Sequence, residues 1–261
     1  MEEKEELEVH TLGELIEVAE NIYEKRKEPI WYRGHAIAGW TLMPSVHRND
    51  YHLNETRMAN EFYMHACVSM QDHPDYENYV DWIAIMQHYG LPTRLLDWTR
   101  SLFVAAFFAS DFATTFKEPK DACKSDGCVW ILLPERLNKH EFNESVIWPM
   151  DGTTVREMIY PAFKEYESQV RDVKDKIIAC YPVENILRIY TQQSAFTVHN
   201  SMKRLEEMEV PGMLKKVVIP ADCKQAIRRQ LEICGVTLHT VYPDPEHIAR
   251  ELKYKYRSTK R

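Results

Sequence analysis

Apolar positions along the chain follow two periods. Leu12, Leu15, Ile16, Ala19 and Ile22 fall on one helical face, with Thr11 placed to cap it and Glu14 three residues on. A helix is expected over residues 11–27, ended by Glu28-Pro29. Helical spacing returns over 53–70 (Met58, Phe62, His65, Ala66) and 79–88 (Val80, Ile83, Ala84, Gln87). The apolar run 102–112, rich in alanine, reads as a buried helix. Residues 223–234 and 246–254 read as two more helices, the first capped by Asp222 and closed by Gly235. Short β-branched or aromatic runs at 30–35, 127–133, 177–181 and 214–219 read as strands, three of them stopped by a proline. Residues 240–244 read as a strand or extended turn. The order of 137–148 and 159–164 is not set by pattern, and 117–125 reads as a charged loop.

Helices and strands do not alternate regularly, so a doubly wound parallel sheet is not expected. No repeat or composition shift marks a linker. The expectation is α+β: a single mixed domain over 30–261, preceded by an N-terminal helix within 1–29.

Composition adds few constraints. The 261 residues are 44% hydrophobic and 28% charged, ordinary for a globular chain. A net charge of −7 gives no global drive toward nucleic acid. The six cysteines form no CxxC pair, no histidine stands at finger spacing from them, and no leader pattern opens the chain, so reduced thiols in a cytoplasm and no metal are expected. No apolar run is long enough to span a membrane.

The candidate chemistry gathers in three places. Gln87-His88-Tyr89-Gly90-Leu91-Pro92-Thr93-Arg94-Leu95-Leu96-Asp97-Trp98-Thr99 mixes charge, aromatics and turn formers ahead of an apolar helix, as a site wall would. Arg94 and Asp97 lie among Leu95, Leu96 and Trp98, so they are expected to pair with each other. Arg33 closes a short strand, where its planar fork suits a phosphate or carboxylate, either a ligand's or an internal acid's. Gly34 lets backbone or ligand approach closely. Gln192 and Gln193 precede an aromatic strand that holds Phe196; they point into a cleft or form a surface turn. Glu61, on a helix, reads as a solvated acid. No phosphate-loop or dinucleotide glycine fingerprint is present.

Trp31-Tyr32-Arg33-Gly34, Pro44-Ser45-Val46 and the 87–99 motif together resemble the FRG domain family, named for its aromatic-Arg-Gly motif. Arg188, Gln192, Gln193 and Phe196 are similar too. The motif order is in turn similar to that of ADP-ribosyltransferases of the Arg–Ser–Glu type. That resemblance implies a split sheet flanked by helices, NAD as substrate without a metal, and transfer to a macromolecule, nucleic acid or protein. A toxin or phage-defence effector held by an antitoxin or inhibitor protein is the implied setting. Arg33 would hold the NAD phosphates, and 95–99 running into the next helix would be the second strand, ending at Thr99. Tyr32, Tyr89 or Trp98 would stack on a ring, and His88 would serve as base or donor. At the place of the catalytic Glu stand only Gln192 and Gln193. Either a carboxylate substitutes, Asp97 before Glu61, or the fold is a non-enzymatic module that binds nucleotide, nucleic acid or protein.

Overall fold

The computed structural model describes residues 7–110, 124–164, 172–183 and 187–256. The expected acidic start (1–6), the last residues of the apolar run (111–112), most of the charged loop (117–123) and the basic tail from 257 lie outside the described residues.

The elements run in chain order β1 (Leu7–Glu8), α1 (Leu12–Arg26), β2 (Trp31–His35), α2 (Glu55–Ser69), α3 (Tyr79–His88), β3 (Leu95–Thr99) and α4 (Leu102–Ala109). They continue with β4 (Gly127–Leu132), α5 (Pro134–Phe142), β5 (Trp148–Pro149), α6 (Thr153–Ile159), β6 (Ile177–Tyr181), α7 (Leu187–Thr191) and β7 (Ser194–His199). β8 (Leu214–Ile219), α8 (Lys224–Ile233), α9 (Leu238–Val241) and α10 (Pro245–Lys255) close the chain. Among the described residues eight strands form one mixed sheet, in the order β1-β8-β4-β2-β3-β7-β6-β5. The pairs β1–β8 and β5–β6 are parallel; every other pair is antiparallel.

Two groups of helices cover one face, and on the other Leu137 of α5 packs with Trp31, Leu96, Trp98 and Trp130. Buried side chains of α2, α3 and α6 pack on β3, β6 and β7 through Leu95, Ile178 and Phe196. α1, α4 and α8 pack on β2, β4 and β8. The N-terminal helix is therefore part of the same core: Leu12, Leu15 and Ala19 share it with Val217, Ile227 and Leu231. Thr11 caps α1 as expected, accepting from Glu14 N at 3.1 Å. Glu14 reaches back to His10 N rather than to the cap itself.

Two local expectations are corrected. Asp222 makes no cap; α8 begins after Cys223, whose thiol donates to the Asp222 carboxylate. Residues 238–241 are helical, with Leu238 and Val241 buried in the core.

Close approach organises the centre. α4 lies so near β2 and β4 that a Cβ on Gly34 would stand 1.9 Å from the carbonyl oxygen of Ala105, and one on Gly127 2.3 Å from that of Ala109. The approach that Gly34 permits is thus made by the backbone of α4.

Candidate functional site

β2 and β3 are neighbours, yet they pair at one position only, Tyr32 opposite Thr99. β2 pairs along its whole length with β4, and β3 along its whole length with β7. Beyond Tyr32 and Thr99 the two strands part, which leaves backbone groups without ladder partners. Arg33 fills the opening: its Nη1 donates to the carbonyl oxygen of Asp97, and its Nε donates to His35 Nε2 at 3.0 Å. Its Nη2 has no bond among the described residues. The Asp97 carboxylate stands 3.8 Å from Arg33 Nη1.

A cleft of about 230 Å³ opens at this parting. β2 supplies Tyr32, Arg33 and Gly34; β3 supplies Asp97, Trp98 and Thr99. α3 brings Gln87 and His88, α4 brings Val104 and Phe108, and the α7–β7 segment brings Arg188, Gln192, Ser194 and Phe196. Three segments distant in sequence therefore converge on one cleft.

Hydrogen bonds fix its polar groups. Gln87 Nε2 donates to Asp97 Oδ2 at 2.9 Å, and Gln87 Oε1 accepts from the Thr93 hydroxyl, which orients the amide toward the acid. Thr99 uses its hydroxyl locally, donating to the Gln192 carbonyl at 2.6 Å and accepting from Ser101 N. Gln192 Nε2 donates to the Val241 carbonyl at 3.1 Å. Burial holds the Arg33 pKa down at about 10, against the favourable charge of Asp97, so the group remains cationic at neutral pH. Burial, then the nearby Arg188, lowers the His88 pKa below the ordinary imidazole value, so His88 enters the cleft as a neutral ring. Burial raises the Tyr32 phenol above its usual value.

The structure revises some expectations and decides between alternatives for others. Arg94 does not pair with Asp97 and does not reach the cleft: it is buried against Glu55, with further bonds to the Met158 carbonyl and Asn200. Tyr89 is 66% exposed and turns its ring to Phe62 and His88, away from the cleft. Gln193 is exposed at a left-handed turn (φ 46°) and contributes its carbonyl to Arg100 N. Trp98 and Phe196 reach the cleft as its floor; at 2% and 3% exposed they have no face free to stack on a ring. Glu61 pairs with Arg57 on the outer face of α2.

Arg33, Asp97, Thr99, Gln192, Tyr32, Gly34 and His88 do converge, as expected. Gln87, Phe108 and Arg188 were not singled out as site residues. Gln87 and Arg188 lie within quoted motifs, whereas Phe108 is one apolar residue in an apolar run.

One comparison bears on this arrangement. Residues 28–118 match the family model of the FRG domain. No curated protein and no solved structure matches the chain. The FRG segment carries Arg33, Gly34, Gln87, His88, Asp97 and Thr99, so it holds the charged half of the cleft. Arg188, Gln192 and Phe196 lie beyond the FRG match and form the facing wall. Among the described residues no group of three or more His, Cys, Asp or Glu side chains is placed to hold a metal ion, and no helix is long and apolar enough to cross a membrane.

Proposed function

We propose that the cleft binds NAD and that the protein transfers the ADP-ribose unit to a macromolecule, nucleic acid or protein. The observation that carries this reading is Arg33 and Asp97, a fixed cation and a carboxylate 3.8 Å apart, at the parting of two central strands and on one cleft. We take that parting, within one continuous sheet, as the counterpart of the split in ADP-ribosyltransferases, which the sequence motifs resemble. In this reading Arg33 holds the pyrophosphate through its unpaired Nη2 edge. The bond between nicotinamide nitrogen and ribose C1′ breaks, and its electron pair leaves with neutral nicotinamide. Asp97 stabilises the positive charge that develops at C1′. The acceptor's oxygen or nitrogen forms the new bond to C1′, and its proton passes to neutral His88. We carry a toxin or defence role and a restraining inhibitor protein from the resemblance, and a cytoplasmic setting from the cysteine pattern of the sequence, as parts of the same proposal.

A second reading has its own observation. Asp97 is 55% exposed in its side chain, and the amide of Gln192 is committed to Val241. A carboxylate in contact with water stabilises a developing cation weakly. This favours a module that binds a nucleotide, a nucleic acid or a protein without turnover.

Incubation of the purified protein with labelled NAD and cell extract tests the choice. Transfer of label to a macromolecule, lost in Arg33→Ala, supports the enzyme. Stabilisation by NAD in thermal unfolding without transfer supports the binding module. If label is not transferred and NAD does not stabilise the protein, NAD is removed from the account.

A further inference from the structure

Arg188 is the second guanidinium on the cleft, and its situation differs from that of Arg33. Its Cζ lies 4.8 Å from the centroid of the Tyr242 ring. Tyr242 stacks in parallel on His247, at 4.4 Å and 11°, and His247 Nδ1 is bound to Asp244 at 2.7 Å. This stack places the guanidinium and costs it none of its donors. A cation–π contact uses the face of the group, whereas its N–H bonds lie in the plane. No hydrogen bond or ion pair of the Arg188 side chain is present among the described residues. A partly buried guanidinium cannot shed its charge, so it is matched by an anion wherever one can reach it. Asp97, which lines the cleft, is already engaged by Gln87 and Arg33, and Asp244, whose charge also acts on His88, is bound to His247.

We infer that Arg188, positioned by Tyr242, is a second anion-binding residue of the cleft, and that together with Arg33 it selects ligands carrying a diphosphate. This deepens the NAD reading and rests on the same cleft. Two cations against one committed carboxylate leave the site short of negative charge. A diphosphate offers each guanidinium its own group of oxygens. The wall that bears Arg188 and Tyr242 lies outside the FRG match, so diphosphate selectivity resides in the C-terminal part of this chain.

Calorimetric titration with inorganic pyrophosphate, ADP-ribose and uncharged adenosine tests the inference. Pyrophosphate and ADP-ribose bind the wild-type protein and adenosine does not. Arg188→Gln weakens both by about 10- to 100-fold, the range of a charge-assisted bond, and leaves thermal unfolding of the unliganded protein unchanged. Tyr242→Phe retains affinity; Tyr242→Leu lowers it. If Arg33→Gln abolishes ADP-ribose binding and Arg188→Gln does not alter it, the inference is overturned while the NAD reading stands. If pyrophosphate binds through Arg188 and ADP-ribose does not bind, the inference stands and the NAD reading falls. If neither anion binds, both fall.

Discussion

Arg94 grips Glu55 at two points, Nε to Oε1 at 3.0 Å and Nη2 to Oε2 at 2.5 Å, and so fastens the start of β3 to the start of α2. Both side chains are 9% exposed. Removing one partner strands the other charge in the core, which costs about 3–5 kcal/mol. Glu55→Ala is therefore expected to lower the urea-unfolding free energy by that amount. Glu55→Leu combined with Arg94→Met is expected to recover much of it, although the Met158 carbonyl and Asn200 lose a donor. A loss in the double variant equal to the sum of the two single losses would show that the pair contributes nothing as a pair.

Gly34 tests how closely α4 must sit on β2. A methyl group there meets backbone, the Ala105 carbonyl and the Ala109 nitrogen, and backbone cannot rotate aside as a side chain can. Gly34→Ala is expected to destabilise at or above the ~3 kcal/mol upper end of ordinary overpacking, read as a lowered melting temperature. Gly39→Ala is the control, since a Cβ there meets nothing within 4 Å.

Buried histidines set the response to acid. His35 accepts from Arg33 at Nε2, and burial with the Arg33 charge pushes its pKa down to about 2. Burial pushes His47 down to about 4 and His199 well below its ordinary value. His199 Nε2 lies 2.8 Å from the Thr197 hydroxyl, and burial keeps the ring neutral. Below the unfolded pKa near 6.5 the unfolded chain binds protons that the folded chain does not. Stability then rises with pH, so it falls on acidification from about 6.5 toward 4. Each of these rings contributes up to ~1.4 kcal/mol per pH unit once fully protonated in the unfolded state. Denaturant unfolding at pH 7, 6, 5 and 4 measures the slope, and His47→Asn is expected to reduce it. A stability profile flat from pH 7 to 5 would contradict the assignment.

Periodicity alone placed α3 at 79–88 and β8 at 214–219, and a capping residue placed the start of α1. It failed where tertiary contact decides. Thr240 and Val241 have extended preferences, yet burying Leu238 and Val241 against the core winds them into a turn of helix that ends at Tyr242. The proposed Arg94–Asp97 pair failed for a geometric reason. Residues three apart along an extended chain point to opposite sides. The actual partners of Asp97 are 10 and 64 positions away, a distance that one sequence cannot bridge. The tie of Gln192 to Val241 is hidden in the same way. Several residues named from the sequence line the cleft, Arg94, Tyr89 and Gln193 do not, and the pairings within it are not readable from one sequence.

Asp97 and Gln87 separate catalysis from binding most directly. If the carboxylate stabilises charge at C1′, Asp97→Asn keeps a hydrogen-bonding group of the same shape and removes only the charge. Turnover of labelled NAD is expected to fall by about 10²- to 10³-fold, the usual effect of deleting one electrostatic stabiliser, with ADP-ribose affinity little changed. Fold stability is also expected to hold, since an exposed ion pair contributes only ~0–1 kcal/mol. Gln87→Ala leaves the charge and releases its orientation, so its effect on turnover should be smaller and in the same direction. Glu61→Gln should have none, because Glu61 is engaged with Arg57 on the outer face of α2. Turnover within about threefold of wild type in Asp97→Asn, below even the 10²-fold floor of that range, would transfer the role to another group and leave Asp97 as the residue that seats Arg33.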